Sequence, residues 1–195
     1  MNLFELLTNE EKDLFYIRNY DSNQVVFDEG GICKTIGIVL QGELLIKTYT
    51  YNIKEETITI VKENNLFGQF LIFSNYPFYL GIGITSKKTK IAFINKDNLI
   101  KLLSNNKIFL ESYMNVICTE TIAIKQQAKL LAHKNIRDRI MYYLNNHAKD
   151  KVAYIPSVTH LANAISIPRP SVSRELTNME LENLIKRVGK YIYIN

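Results

Sequence analysis

The stretch IPSVTHLANAISIPRPSVSREL, residues 155–176, decides the fold of the last third of the chain. Ser157 can cap a helix that runs to Ala164, because a serine oxygen accepts a hydrogen bond from an amide in the first turn. The chain then turns at Ser166-Ile167. A second helix is predicted over residues 168–181, since its two early prolines fit only where amide hydrogens lack intrahelical partners.

The residues on either side of this stretch complete the pattern. Before it, NIRDRIMYYLNNHA (135–148) is amphipathic and predicts a helix, and AYIPSV (153–158) predicts a connector with a short extended piece. After it, LIKRVGKYIYIN (184–195) predicts a hairpin around Gly189-Lys190. Two short helices joined by a tight turn and followed by a basic hairpin indicate a winged helix-turn-helix, a fold that binds DNA.

The second helix of such a motif enters the major groove with its first residues leading. An arginine there can donate two hydrogen bonds to guanine, worth about 1–3 kcal/mol of discrimination. Serines and the basic side chains of the hairpin suit phosphates, which add affinity without sequence choice. The residues expected to contact DNA are Ser157, Arg169, Ser171, Ser173, Arg174, Lys186, Arg187 and Lys190.

Positive charge is concentrated in the same region. Residues 1–133 carry 14 Lys and Arg and 14 Asp and Glu, whereas residues 134–195 carry 10 and 5, so the net charge of +5 lies there. A basic module joined to a neutral one is typical of nucleic-acid binders with a second function. In the alternative, the chain is an effector-binding module whose basic domain binds a protein or another acidic partner.

A long helix is predicted upstream, over residues 107–132. Apolar or small side chains recur along it at alternating spacings of four and three, which is a narrow heptad seam and favours a two-stranded coiled coil between subunits. A helix that packs this stripe on its own domain is the other reading. The seam, and hence the expected homodimer interface, consists of Leu110, Met114, Ile117, Thr121, Ile124, Ala128 and Leu131.

The first half of the chain has the period of β-strands. After a short helix with Thr8 and Glu11 as a capping box, residues 17–95 contain several short β-branched and aromatic runs, with Gln41-Gly42 as a predicted hairpin turn. Such runs indicate an antiparallel sandwich or jelly roll. The predicted fold class is α+β: an N-terminal antiparallel jelly roll (1–106), a long dimerisation helix (107–133) and a C-terminal winged helix-turn-helix (134–195).

The sequence gives little support to other classes of site. Cys33 and Cys118 are too far apart for zinc or iron–sulfur spacing, so neither a metal nor a cofactor is expected. Because no catalytic pattern or phosphate-binding glycine loop appears, we do not expect an enzyme. The longest apolar runs are far short of the roughly 18 residues of a membrane span, and the first residues do not resemble a signal peptide. A cytoplasmic protein without membrane contact is expected.

The run HLANAISIPRPSVSRELTNMELENLIKRVGKYIYI (160–194), together with the order jelly roll, long helix, winged helix-turn-helix, resembles the Crp-Fnr family of bacterial transcription regulators. In the sensor half, VLQGELLI (39–46) and NLFGQFLIF (65–73) resemble the glycine-marked hairpin and cassette of that family. The resemblance implies double-stranded DNA as partner, a homodimer, and RNA polymerase and a small-molecule effector as further candidates. In the recognition helix, Pro170 stands where the family usually has a glutamate, so the usual half-site is not expected to transfer.

The cassette also departs from members that bind cyclic AMP. Those members share a Gly-Glu pair and, about ten residues later, an arginine that binds the phosphate. The corresponding pair of this sequence is Gly68-Gln69, and Tyr79 and Leu80 stand ten residues later. A phosphodiester without a cation would be costly to bury, so cyclic AMP is not expected as ligand. The nearby aromatic residues are either core or the lining of an apolar effector pocket. The candidate pocket consists of Gly68, Gln69, Phe70, Tyr79, Leu80 and Ile124.

Overall fold

The computed structural model describes residues 3–49 and 55–195. The chain packs as two compact units, Met1–Thr119 and Glu120–Asn195. The long helix contributes its first half to one unit and its second half to the other. The division by function into segments 1–106, 107–133 and 134–195 remains a prediction.

The first unit is a sandwich of two four-stranded antiparallel sheets, in strand orders β1-β8-β3-β6 and β2-β7-β4-β5. Apolar side chains such as Ile38, Leu44 and Ile91 are fully buried, and β-branched residues such as the two isoleucines fit a pleated sheet surface. The predicted jelly roll is confirmed. The strands are β1 (Tyr16–Tyr20), β2 (Val25–Phe27), β3 (Thr35–Gln41), β4 (Glu43–Tyr49), β5 (Glu55–Lys62), β6 (Leu66–Phe67), β7 (Ile82–Thr85) and β8 (Thr89–Asn95).

Gly42 lies in a turn that differs from the predicted hairpin. Its φ of +95° is the left-handed conformation expected of glycine. The strands on either side are not partners, however: β3 pairs with β6 and β8, whereas β4 pairs with β5 and β7. The hairpin prediction is therefore wrong, and the turn carries the chain from one sheet to the other.

Helices flank the sandwich. The predicted capping box is confirmed, because the Thr8 hydroxyl accepts from the Glu11 amide and the Glu11 carboxylate accepts from the Thr8 amide. The long helix has the bounds expected from its period. The helices of this region are a short 3₁₀ helix (Leu3–Leu6), α1 (Asn9–Lys12), α2 (Lys96–Asn105) and α3 (Lys107–Ala132).

Besides the second half of α3, the second unit packs three helices on a small sheet around one core that includes Ile140, Leu144, Leu161 and Ile185. The helix-turn-helix and the hairpin after it form as predicted. The sheet has four strands in the order β11-β12-β10-β9. The elements are α4 (Ile136–His147), β9 (Ala148–Lys149), β10 (Val152–Tyr154), α5 (Val158–Ala164), α6 (Arg169–Leu181), β11 (Ile185–Val188) and β12 (Tyr191–Ile194).

The strand β9 and its turn were not predicted. Asp150 and Lys151 both have positive φ, 51° and 63°, which matches the two-residue turns that suit the twist of a hairpin. Neither residue is glycine or asparagine, so the usual sequence signal of this turn is missing. The extended piece expected in residues 153–158 is β10, which begins one residue earlier.

The two cysteines should react at very different rates. Cys33 is buried and Cys118 is exposed, and burial raises the pKa of the Cys33 thiol, so little of the reactive thiolate forms there. With a chromogenic disulfide reagent at pH 8, we expect one thiol per chain to react at once and the second only after unfolding. Cys118→Ser should remove the fast phase and Cys33→Ser should keep it; two fast thiols would contradict this burial.

Candidate nucleic-acid interface

The recognition helix α6 is anchored by one buried stripe. Val172, Leu176 and Met179 follow at spacings of four and three and are essentially inaccessible to solvent. Before it, the Ser157 hydroxyl caps α5 by accepting from the His160 amide at 3.0 Å, as predicted. Ser166 makes the turn with a φ of 55°. These contacts fix which side of α6 points away from the core.

The start of α6 is set by its prolines. Pro168 is the N-cap, without a side-chain cap hydrogen bond, and Pro170 lies in the first turn. The Pro168 carbonyl accepts from the amides of Ser171 and Val172. Because proline has no amide hydrogen, one of the unpaired donors of a helix start is absent here. The first turn thus presents side chains, mainly those of Arg169 and Ser171, and few amides.

Arg169 and Arg174 are the exposed cations of this helix. In residues 134–195, all of which the structure describes, neither guanidinium has an ion-pair or hydrogen-bond partner. Ser171 and Ser173 are half-buried, and the Ser173 carbonyl accepts from the Thr177 hydroxyl. The two arginines therefore keep all of their donors for an external ligand.

Arg187 differs from the other residues expected to contact DNA. Its guanidinium donates to the Glu180 carboxylate at 2.7 and 2.9 Å and to the Thr177 hydroxyl at 3.3 Å, while its amide donates to Glu180 at 2.8 Å. These hydrogen bonds lower the pKa of Glu180. Arg187 thus ties the hairpin to α6, which the sequence analysis missed. Lys186 and Lys190 remain exposed.

Arg137 forms a second internal ion pair. It donates to Glu182 at 2.6 and 2.8 Å and to Glu175 at 2.6 Å. Arg137 therefore joins α4 to the middle of α6, at Glu175, and to its C-cap, at Glu182. The same bonds raise the pKa of Arg137 and lower that of Glu182. Three of the five acidic side chains of residues 134–195 are consequently paired with two arginines. Eight basic side chains and two acidic ones remain outside these pairs.

The seam predicted along α3 is largely open in the single chain. Two of its residues are half-buried, Ile117 and Thr121. The others are exposed, including Ile124 with 61% of its surface accessible. An exposed apolar stripe of this length is uncommon on a monomeric protein. The exposed members are Leu110, Met114, Ile124, Ala128 and Leu131.

The interior of the sandwich is filled by aromatic rings. The Phe27 ring stacks on Tyr79 with centroids 3.8 Å apart and lies 5.6 Å from Phe67, which in turn is 5.9 Å from Phe93. The Tyr79 backbone is held by hydrogen bonds with Gly30 and Gly31, both below 3.0 Å. Burial and the Cys33 thiol raise the pKa of the Tyr79 hydroxyl. This row of rings crosses from one sheet to the other.

The residues of the candidate effector pocket differ in burial and in their partners. Gly68 has a φ of +80°, and its carbonyl accepts from the amides of Leu71 and Ile72. Gln69 is buried and its carbonyl accepts from the Tyr113 hydroxyl at 3.4 Å. Phe70 and Leu80 are exposed, and Ile124 belongs to the other compact unit. The effector pocket stays a prediction.

Comparisons with known proteins bear first on the β-sandwich. Residues 17–106 match the family model of the cyclic nucleotide-binding domain. The matched region takes in the two β-sheets of the first unit and the helix α2. A sequence search of curated proteins found no match.

Solved structures with this fold cover almost the whole chain. The catabolite activator protein of Thermus thermophilus is 17% identical, with a TM-score of 0.61 over 100% of this chain and 94% of its own. A CooA variant of Carboxydothermus hydrogenoformans is 16% identical, with a TM-score of 0.62 over 100% and 91%. CLP of Xanthomonas campestris, described as a c-di-GMP responsive global regulator, is 20% identical, with a TM-score of 0.53 over 95% and 97%.

The aromatic residues in and after the cassette (residues 65–79) differ in burial and fall into two groups. Phe67 is buried and Tyr79 half-buried in the row of rings, whereas Phe70, Phe73 and Tyr76 are exposed.

In the described residues, no group of three or more His, Cys, Asp or Glu is placed to hold a metal ion. Among the helices within 3–49 and 55–195, none combines the length and the apolar character needed to span a bilayer.

Loss of the Tyr79 ring should destabilise the cyclic nucleotide-binding domain. Tyr79→Ala removes the ring stacked on Phe27, and large-to-small changes of this kind cost about 2–4 kcal/mol when the ring is partly buried. Tyr76→Ala is the matched control, because that ring is 64% exposed, and it should cost under about 1 kcal/mol. Urea unfolding followed by circular dichroism measures both. Equal effects of the two variants would contradict the row of rings.

Proposed function

We propose that the chain is a homodimeric, sequence-specific DNA-binding transcription regulator that works in the cytoplasm. The observation that carries this proposal is which of its arginines have internal ion-pair partners and which do not. Arg137 and Arg187 are paired inside the domain, whereas Arg169 and Arg174, at the start of the recognition helix, keep their donors free. Free arginines at this position of a helix-turn-helix are suited to guanine O6 and N7.

The charge that remains after internal pairing supports the same ligand. Internal ion pairs use most of the acidic side chains of residues 134–195 and few of the basic ones. Cations that release counterions from phosphates account for most of the affinity of DNA-binding proteins. Lys186 and Lys190 on the hairpin, both exposed, would supply such contacts, and Ser157, Ser171 and Ser173 could add hydrogen bonds to phosphates or base edges.

The proposed dimer follows from the open seam of α3. A coiled coil along this seam would bury apolar side chains that are exposed in the single chain, and would present two recognition helices by one symmetry axis. Successive major grooves on one side of DNA lie about 34 Å apart. The proposed target is therefore a palindrome with half-sites one helical turn apart. Contact with RNA polymerase stays a prediction.

The sensor is proposed not to bind cyclic AMP. Tyr79 occupies the position at which the cyclic AMP-binding members of the family have an arginine for the phosphate. Its ring is stacked on that of Phe27. An anionic phosphate would meet an apolar surface there with no cation to balance it. The packing of the sensor itself, or an effector of another chemistry, would then set the DNA-binding state.

Single substitutions should separate sequence reading from general affinity. Arg174→Ala should cost about 1–3 kcal/mol on the selected site and relax the preference at one base position. Lys190→Ala should weaken binding evenly across sequences and reduce the salt slope by about one. Fluorescence anisotropy with duplexes selected from a random library, measured at several salt concentrations, tests both.

The same titrations decide between the proposed function and its alternative. Binding that depends steeply on salt and on sequence supports DNA as the partner. Failure to select any duplex at low ionic strength would reject it and favour a protein or another acidic partner for the basic domain. Equal sequence preference in Arg174→Ala and the unmodified protein would remove the assigned role of Arg174.

The dimer can be tested by two neighbouring isoleucines of α3. Ile124 lies in the seam and Ile122 outside it, and both are largely exposed in the single chain, 61% and 55%. Ile124→Lys places a charge in the coiled-coil interface and should give a monomer in sedimentation equilibrium, since buried unpaired charges are costly. Ile122→Lys should remain dimeric. A monomeric unmodified protein, or a dimer for Ile124→Lys, would reject this interface.

A further inference from the structure

Arg139 has an unusual set of partners for a surface-helix arginine. Its Nε donates to the His133 carbonyl at 2.9 Å, its Nη2 to the Leu131 carbonyl at 3.2 Å, and its Nη1 lies 3.5 Å from the Ile165 carbonyl. All three acceptors are backbone oxygens, so this guanidinium binds the main chain of two separate segments, one around residues 131–133 and one at Ile165. Such bonds are charge-assisted and stronger than those between neutral groups.

The acceptors lie at the ends of two helices. α3 ends at Ala132 and leaves the Leu131 carbonyl without an intrahelical partner, and Ile165 is the C-cap of α5. The carbonyl end of a helix carries partial negative charge, which favours a cation. One guanidinium therefore occupies the place where both helices end, half-buried and without a carboxylate among its hydrogen-bond partners.

The connection between α3 and α4 is short and held at both sides. Three residues, 133–135, join the two helices. Asn135 caps α4 by accepting from the Asp138 amide at 2.7 Å, and Arg139 holds the His133 carbonyl from the next turn. The third bond of Arg139 reaches Ile165, one residue before the turn at Ser166 that leads into α6.

We infer that Arg139 is a positioning residue that fixes the recognition helix relative to the end of the dimerisation helix. This inference rests on the proposed function, since it gives the spacing of the two half-sites a structural cause. A planar fork with five donors can bind three carbonyls at once, whereas the single ammonium of lysine cannot do so in the same geometry. Arg139 touches no DNA in this role; it acts through the direction in which α6 is presented.

The test compares half-site spacings. A palindrome is first selected from a random duplex library with the unmodified dimer, and derivatives then carry two additional base pairs between the half-sites, which turns one half-site by about 70°. The measured quantity is the ratio of the two dissociation constants for each protein. For Arg139→Met, which keeps the apolar stem of the side chain, we expect this ratio to fall about tenfold or more, within the usual range of coupling between sites.

Arg137→Met is the matched control, because Arg137 lies two residues earlier on α4 and binds Glu175 and Glu182 within the helix-turn-helix. It should keep the spacing ratio of the unmodified protein even where it lowers Tm. Arg139→Lys should give an intermediate ratio, and it replaces Arg139→Met as the deciding variant where circular dichroism shows that the latter does not fold.

The outcomes are distinguishable. An unchanged spacing ratio in the folded Arg139 variant, or an equal fall in Arg137→Met, overturns the role of Arg139 while DNA binding stands. If the unmodified protein selects no palindrome, the proposed function itself fails, and the role of Arg139 fails with it. A fall confined to the Arg139 variants supports the inference, because a general loss of stability would weaken binding to both spacings equally.

Discussion

The stripe that α6 buries is the contact on which the nucleic-acid interface depends. Val172, Leu176 and Met179 occupy one side of the helix and reach the core of the second unit. Since a helix turns by about 100° per residue, shifting this stripe by one position would direct a charged side chain into that core. The cost of such a burial keeps the rotation of the helix unique. Because the apolar stripe is buried, Arg169 and Arg174 lie on the exposed side of the helix.

Arginines of the second unit divide by what they bind, and this division could not be read from the sequence. Arg137 and Arg187 hold helices and hairpin together through carboxylates, and Arg139 binds main-chain carbonyls. Glu175 and Glu180 come from α6 itself, so the recognition helix is held by its acidic residues and keeps its first two arginines for ligand. Net charge alone predicted a basic surface for an acidic partner, but only the pairing shows which cations are available.

The sequence predicted local features well and long-range ones poorly. Helix bounds, the caps at Thr8 and Ser157 and the turn at Ser166 depend on residues within four positions, and these predictions agree with the structure. The hairpin predicted at Gly42 was wrong because strand pairing, such as that of Ile38 with Ala92, depends on packing between distant segments. A glycine signals a positive φ but does not say whether the strands beside it pair. For the same reason the partners of Arg187 and Arg139 had no signal in the sequence.

The row of aromatic rings in the first unit bears on how regulation could work under the proposed function. A ligand shifts a conformational equilibrium only by the difference between its affinities for the two states. The stack of Tyr79 on Phe27 is apolar contact that the first unit has without any ligand. An effector at that place would have to displace the rings and offset the packing energy lost. Under the proposed function, a regulator that does not enter this row of rings avoids that cost.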